Sequence, residues 1–201
     1  MDMVHLNSHR LVVLDVETTG LDPDLQEIIE ICAIELDGNI DPVGKPLQIY
    51  LTPEHPETIE FQALKVNKVS FKDVMNRGID PMKGVDMFCD WYDSLNLKPR
   101  KKIAPLGQNY AFDKGFLSKW LSPKLYDLMF DYHVRDTCIA ANYLNDRAYF
   151  RSEKQPFPKQ SLTYLCSQLQ VNNLHPHTAL GDCLATAECY KKMLRSGPLI
   201  V

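Results

Sequence analysis

Residues 11–20 have the sequence Leu-Val-Val-Leu-Asp-Val-Glu-Thr-Thr-Gly, and this stretch decides the fold. Its β-branched, apolar start predicts a buried strand over residues 11–16. Strand side chains alternate between faces, so Asp15 and Glu17 project to the same side. Two like charges about 4 Å apart repel by about 4 kcal/mol at an effective dielectric of about 20. On an exposed strand such a pair is simply solvated. On a buried one it indicates a hard divalent cation, Mg²⁺ or Mn²⁺, which prefers oxygen ligands.

The rest of the chain predicts more strands near this first one and helices further along. We expect strands at 27–36, 47–51, 102–106 and 133–135, with a hairpin turn at Asp37-Gly38-Asn39. We expect helices from Pro81 after the cap Asp80, around 112–120, from Asp136 or Thr137 to Leu144, after the cap Ser161, and over 178–195 with Gly197 just beyond. Residues 146–160 are polar and predict a surface loop. This order predicts one α/β domain with a mixed sheet over residues 1–201.

A second carboxylate follows the strand predicted at 102–106. The segment from Gly107 to Asp113 lies between a strand and a helix, where α/β folds place their ligands. Asp113 follows the apolar Phe112 and opens the helix. As an alternative, Asp113 is a helix-start carboxylate that the helix dipole favours. Asn109 is equally interpreted as a turn residue or a cap.

A third motif, His177-Thr-Ala-Leu-Gly-Asp182, precedes and opens the last helix. Asp182 falls in the first turns of that helix, and His177 stands on the backbone that leads into it. The alternative interpretation is a capping histidine and a helix-start carboxylate. His175 lies nearby, but its spacing to Asp182 differs from that of His177.

Composition limits the classes of protein that fit. The chain has 201 residues, 45% hydrophobic and 24% charged, with a formal net charge of -4. These values are typical of a globular domain and argue against nucleic-acid binding through bulk positive charge. The six cysteines form no Cys-x-x-Cys pair, so we expect reduced thiols rather than a zinc site. With neither a signal peptide nor a membrane-spanning stretch in the pattern, we expect a cytoplasmic protein with no membrane partner.

The three motifs together resemble those of the DnaQ-like DEDDh exonuclease family. They are Asp15-Val-Glu-Thr-Thr-Gly20, Asn109-Tyr-Ala-Phe-Asp113 and His177-Thr-Ala-Leu-Gly-Asp182, and they occur in the family's order across almost the whole chain. The segment Ser161-Leu-Thr-Tyr-Leu-Cys166 is similar to the helix before the third motif. A histidine five residues before the last aspartate marks the DEDDh branch, whereas the sister branch has a tyrosine at the position of Thr178.

The resemblance implies a ribonuclease H-like mixed β-sheet flanked by helices and an active site with two ions of Mg²⁺ or Mn²⁺. By similarity, Asp15, Glu17 and Asp182 would bind metal directly, Asp113 would hold the second ion through water, and His177 would be the general base. The resemblance also implies substrate contacts, at Thr18 and Thr19 for the terminal nucleotide, at Leu21 as a wedge against its base, and at Asn109 and Phe112. A core-anchor role for Phe112 is an equal alternative, and Gln108 departs from the histidine common in the family.

The implied function is 3′-to-5′ hydrolysis of single-stranded DNA ends with release of 5′-mononucleotides. An RNA 3′-end exonuclease, similar to ribonuclease T or oligoribonuclease, is the alternative substrate class, since no motif here distinguishes the 2′-hydroxyl. An inactive binding module is a third hypothesis, although every motif residue is present. A polymerase partner in trans is also compatible with the sequence.

Overall fold

A computed structural model describes residues 6–67 and 70–195. In these residues, five strands form one mixed sheet in the order β3-β2-β1-β4-β5. They are β1 (Arg10–Thr18), β2 (Ile28–Leu36), β3 (Pro42–Tyr50), β4 (Ile103–Gly107) and β5 (Arg135–Asp136). β1, β2 and β3 pair antiparallel, whereas β4 pairs parallel with both β1 and β5. The apolar segment at 11–16 is thus the central strand, as the sequence predicts.

Helices cover the sheet and follow its strands. They are a 3-10 turn at Pro56–Thr58, then α1 (Phe61–Val66), α2 (Phe71–Arg77), α3 (Pro81–Ser94), α4 (Tyr110–Leu121), α5 (Pro123–Met129), α6 (Thr137–Phe150), α7 (Leu162–Leu169) and α8 (Ala179–Arg195). None of these described helices is both long and apolar enough to cross a bilayer.

The alternation of side chains along β1 separates two cores. Val12, Leu14 and Val16 pack into a core shared with α3, α4 and α5. Leu11 and Val13 pack on the opposite face, with Ala179 and other residues of α8. Val13, Asp15 and Glu17 are two residues apart along β1, so their side chains share one face. Both carboxylates therefore project towards the face that α8 covers.

Helix starts are the best-predicted boundaries. Asp80 accepts hydrogen bonds from Met82 and Lys83 N–H, so it caps α3 as expected. Asp136 caps α6 through Cys138 and Ile139 N–H. Ser161 caps α7. Each cap satisfies amide donors that a helix leaves unpaired in its first turn.

Several predicted boundaries are wrong. β3 begins at Pro42 instead of residue 47, because this edge strand is largely exposed and carries no alternating apolar pattern to mark its start. The short strand before α6 lies at Arg135–Asp136 instead of 133–135. The 37–41 connection is a hairpin, but its left-handed residue is Ile40, with φ of 65°. Gly197 lies outside the described residues.

The predicted loop at 146–160 is wrong at its start. α6 continues to Phe150 because Ala148 is buried against the core, a periodicity hidden among polar neighbours. The segment that follows is also anchored rather than purely superficial. Asn145 exchanges two hydrogen bonds with the Phe157 backbone, at 2.7 and 2.9 Å, and the Phe157 side chain is buried.

Candidate active site

Three carboxylates converge where β1 meets α8. Asp15 and Glu17 project from β1, and Asp182 projects from the first turn of α8. One ligand oxygen from each lies within 4.8 Å of the other two. All three side chains are partly accessible, so an ion or substrate can reach them. The structure therefore brings together the three residues expected to bind metal directly.

Asp113 lies behind this cluster, at the start of α4. β4 pairs with β1 only as far as Val13, so the backbone of β1 beyond that residue is not paired with β4. Asp113 Oδ1 accepts a hydrogen bond from Val16 N–H at 3.1 Å, between the two carboxylates of β1. The Asp113 side chain is only 3% exposed. It is more than a surface carboxylate at a helix start, because it takes the place of a missing strand neighbour.

The start of α4 depends on a left-handed residue and on a distant carboxylate. Asn109 has φ of 59° and ψ of 46°, and its exposed side chain makes no capping hydrogen bond. Asp136 Oδ2 instead accepts from Tyr110 N–H at 2.6 Å, while Oδ1 caps α6. Asn109 is therefore a turn residue and not a side-chain cap, and Asp136 caps α4 as well as α6. Contact of Asn109 with substrate stays a prediction.

The segment before α8 is tightly built. His177 has φ of 66°, and its side chain is partly exposed on the approach to the helix. Thr178 Oγ1 accepts from Gly181 N–H at 3.1 Å and donates to the His175 carbonyl at 2.8 Å. A Cβ at Gly181 would lie 2.0 Å from the His175 oxygen, so only glycine fits. This packing fixes the separation between His177 and Asp182.

Asp182 is oriented by a residue that the sequence motifs do not include. Asn173 Nδ2 donates to Asp182 Oδ1 at 2.6 Å. An asparagine nine residues before the aspartate, in a loop, gives no recognisable sequence signal. A second such residue is Asn67, which is buried and donates to the Thr18 carbonyl at 3.1 Å.

Burial makes this carboxylate cluster costly in its ionised form. Burial raises the pKa of Glu17 to about 8, with Asp182 and Glu30 adding to the effect. Burial is also the main reason that the pKa of Asp113 rises to about 8, against the opposing hydrogen bond from Val16. The pKa of Asp15 is raised by burial and then by Asp113 and Glu17. A divalent cation would offset the free-energy cost of ionising these buried carboxylates. The donor set therefore fits such an ion.

The predicted substrate contacts differ in their accessibility. Leu21 is 76% exposed beside the end of β1, as a wedge residue would require. Thr18 is almost buried, and its hydroxyl donates to the Gly20 carbonyl at 2.6 Å. Thr19 is fully buried, and its hydroxyl accepts from Glu27 N–H while both of its backbone groups bond within the protein. Contact with a nucleotide stays a prediction for both threonines, and Thr19 has no exposed surface with which to make it in this conformation.

The position of Phe112 is compatible with both roles that the sequence left open. Its ring packs against Phe116, with centroids 5.0 Å apart, at the margin of the main core. It is only partly buried, so one part of the ring stays accessible next to Asp113. Packing against the core is thus established, and contact with substrate stays a prediction.

Known proteins place the chain in one family. Residues 12–190 match the RNase_T family, described as exonuclease. The DNA polymerase III subunit epsilon of Rickettsia typhi is 30% identical over 194 residues, which cover 92% of this chain and 74% of that protein. Ribonuclease T of Wigglesworthia glossinidia brevipalpis is 24% identical over 188 residues, which cover 89% of this chain and 81% of that protein.

Solved structures show the same fold. The zinc-bound complex of E. coli exonuclease I with single-stranded DNA superposes with a TM-score of 0.75 at 17% identity, over 96% of this chain and 42% of that chain. Exonuclease I from Methylocaldum szegediense gives a TM-score of 0.74 at 17% identity, over 95% and 41%. This chain therefore spans only about two fifths of those proteins, and the likeness confirms the ribonuclease H-like fold. From the family match and the shared fold, the chain belongs to the DnaQ-like family of 3′-to-5′ exonucleases.

Proposed function

We propose that this exonuclease hydrolyses terminal phosphodiester bonds of single-stranded DNA from the 3′ end and releases 5′-mononucleotides. The observation that carries the proposal is the convergence of Asp15, Glu17 and Asp182, with Asp113 bonded to the strand between the first two. Residues 1–201 would act as one exonuclease domain. Two divalent cations, Mg²⁺ or Mn²⁺, would supply the positive charge that polarises the scissile phosphate and its attacking water.

Each residue of the site has a distinct role in this proposal. Asp15, Glu17 and Asp182 would bind metal directly, because their oxygens lie within 4.8 Å of one another. Asp113 would reach the second ion through water, because its Oδ1 is already bonded to Val16 N–H. His177 would take the proton from the attacking water, since imidazole is the side chain that most often acts as a general base in enzymes.

Single-stranded ends are favoured over duplex ends for two reasons. Leu21 exposes most of its apolar surface just beyond the end of β1, where it would separate a terminal base from its neighbour. The net charge of -4 provides little general attraction for a duplex. The similarity to the DNA polymerase III subunit epsilon supports DNA as the substrate, and it also supports a polymerase as a partner in trans.

RNA 3′ ends are the second candidate substrate. The observation that favours them is the 24% identity to a ribonuclease T over 81% of that protein. An inactive binding module is less well supported, because Asp15, Glu17, Asp113, His177 and Asp182 are all present in the sequence and carboxylates from three of them converge where β1 meets α8.

The test is degradation of matched single-stranded and duplex DNA and RNA oligonucleotides that carry a label at the 5′ end. With Mg²⁺ or Mn²⁺ we expect a ladder that shortens from the 3′ end, fastest on single-stranded DNA, and no turnover in EDTA. Asp15→Asn should lower turnover by several orders of magnitude, whereas Asp24→Asn, at an exposed carboxylate in the neighbouring turn, should not. Full activity in EDTA would refute the metal mechanism, and faster degradation of RNA would make RNA the substrate.

A further inference from the structure

The side-chain amide of Asn173, in the loop between α7 and α8, forms hydrogen bonds at both of its ends. Nδ2 donates to Asp182 Oδ1 at 2.6 Å, and Oδ1 accepts from His175 N–H at 3.2 Å. An ionised carboxylate only accepts and a backbone N–H only donates, so both contacts require the same orientation of the amide. Asn173 therefore links the carboxylate cluster of Asp15, Glu17 and Asp182 to the backbone of its own loop.

The hydrogen bonds that begin at Asn173 continue through the loop to the start of α8. The His175 carbonyl accepts from the Thr178 hydroxyl at 2.8 Å, and the Thr178 carbonyl accepts from Asp182 N–H at 2.9 Å. Asp182 is thus bonded to the loop twice, through its backbone by Thr178 and through its side chain by Asn173. Between these two contacts lies His177, whose φ of 66° is a conformation that surrounding contacts must hold. The two contacts therefore enclose the residue expected to be the general base.

The backbone contact alone does not orient the Asp182 carboxylate. An aspartate side chain rotates about two bonds, so a fixed Cα leaves several positions open to its oxygens. The bond from Asn173 selects one of these positions by holding Oδ1. An amide does so without positive charge, whereas a lysine or an arginine at this position would neutralise the carboxylate and weaken its attraction for a cation. A neutral donor therefore suits a carboxylate whose expected partner is a metal ion.

We propose that Asn173 is a positioning residue, which fixes the orientation of the Asp182 carboxylate and ties the loop that carries His177 to it. The amide nitrogen of Asn173 faces the carboxylate as a donor, so Asn173 acts through Asp182 and not as a metal ligand. Its effects on metal binding and turnover rest on the proposed function, whereas its effect on the orientation of Asp182 does not.

Two substitutions separate the two hydrogen bonds of Asn173. Asn173→Ala removes both bonds. Asn173→Ser keeps an oxygen that accepts from the backbone N–H two residues further on, as serine does in turns, but its side chain is too short to reach Asp182. As matched controls, Asn172→Ala and Asn172→Ser change the same residue type one position earlier, where the side chain is exposed and makes no hydrogen bond within the described ranges.

The first readout is the crystal structure of each metal-free variant, which shows the Asp182 carboxylate directly. We expect one orientation in the wild type and in both controls, and a rotated carboxylate or several orientations in Asn173→Ser and Asn173→Ala. The second readout is Mn²⁺ binding to the free protein by calorimetry, which should weaken by about 10- to 100-fold in both Asn173 variants. The third is hydrolysis of single-stranded DNA at saturating Mg²⁺. There, kcat should fall about tenfold or more with KM little changed, because the reacting groups are displaced.

The outcomes distinguish this proposal from a role in the turn alone. An Asp182 carboxylate that keeps its wild-type orientation in both Asn173 variants would overturn the proposal, whatever the activity. Wild-type Mn²⁺ affinity in Asn173→Ser would also overturn it, because the bond to the loop backbone would then be the one that matters. If the wild type bound no Mn²⁺ or had no nuclease activity, the proposed function alone would fail, since the metal-free structures would still decide the role of Asn173.

Discussion

Raising the pH should destabilise this protein when no divalent cation is bound. Carboxyl groups of an unfolded chain ionise near pH 4. In the folded protein, burial raises the pKa of Glu17 and Asp113 to about 8. Between these values the folded state binds more protons than the unfolded state. The free energy of unfolding therefore falls as the pH rises from about 4 to about 8, and the stabilisation of the protonated form is present only below this window.

The size of the effect follows from the number of protons involved. One carboxyl group that stays protonated only in the folded state contributes a change of roughly 3 kcal/mol between about pH 5.5 and about pH 8. For a chain of this length, that corresponds to a fall in melting temperature of about 6–12 °C. Because Asp15, Glu17 and Asp113 lie together, their titrations are coupled. We therefore count one proton for the whole cluster as the difference between the folded and unfolded states.

Thermal unfolding in EDTA and in excess Mg²⁺, across this pH range, measures the effect. A bound cation should abolish most of the decline, since it stabilises the ionised carboxylates only in the folded state. Asp113→Asn keeps an oxygen for Val16 N–H and removes one titrating group, so its decline should be shallower than that of the wild type. Asp90→Asn, at an exposed position on α3, is the control and should follow the wild type.

Two results would refute this reasoning. One is a melting temperature of the metal-free protein that is constant or rises with pH over this range. The other is an equal decline in EDTA and in Mg²⁺, since the titrating groups would then lie outside the carboxylate cluster.

Three further predictions concern the reaction. His177→Ala should reduce turnover by about 10²–10⁴-fold, the usual loss for a general base, while His175→Ala should change it little; a larger loss at His175 would contradict the assignment. A 3′-phosphate should block digestion in gel assays of labelled oligonucleotides, and efficient cleavage of circular single strands would show endonuclease action instead. A mismatched 3′ terminus should be degraded faster than a paired one, and Leu21→Ala should bring the ratio of the mismatched rate to the paired rate closer to one. Equal wild-type rates on both termini would oppose a wedge role for this exposed residue.

Alternation along β1 made much of the site predictable. Asp15 and Glu17 share a face in any strand, and the apolar run before them places that strand in the interior. Asp80, Asp136 and Ser161 were predictable as caps because hydrogen bonding by a short polar side chain to the next turn is a local interaction. Local chemistry of this kind is visible in a short window of sequence.

Contacts between distant segments were not predictable in this way. Asn67 supports Thr18 and Asn173 orients Asp182, each across a turn or a long loop. Neither of these residues belongs to a periodic pattern, because its role is set by which strands and helices become neighbours. The short helices α1, α2 and α5 were missed for a related reason, since each buries only one or two side chains and has too few turns to show a period.

The carboxylate of Asp136 has a consequence for the order in which the molecule is assembled. Its two oxygens serve the starts of α4 and α6 at the same time, at Tyr110 and Cys138. The backbone that aims Asp113 at β1 is therefore not fixed until the chain up to α6 is in place. Asp182 joins later still, from the last described helix. A chain released before α8 is made would contain Asp15, Glu17 and Asp113 but not Asp182, so its carboxylate cluster would be incomplete.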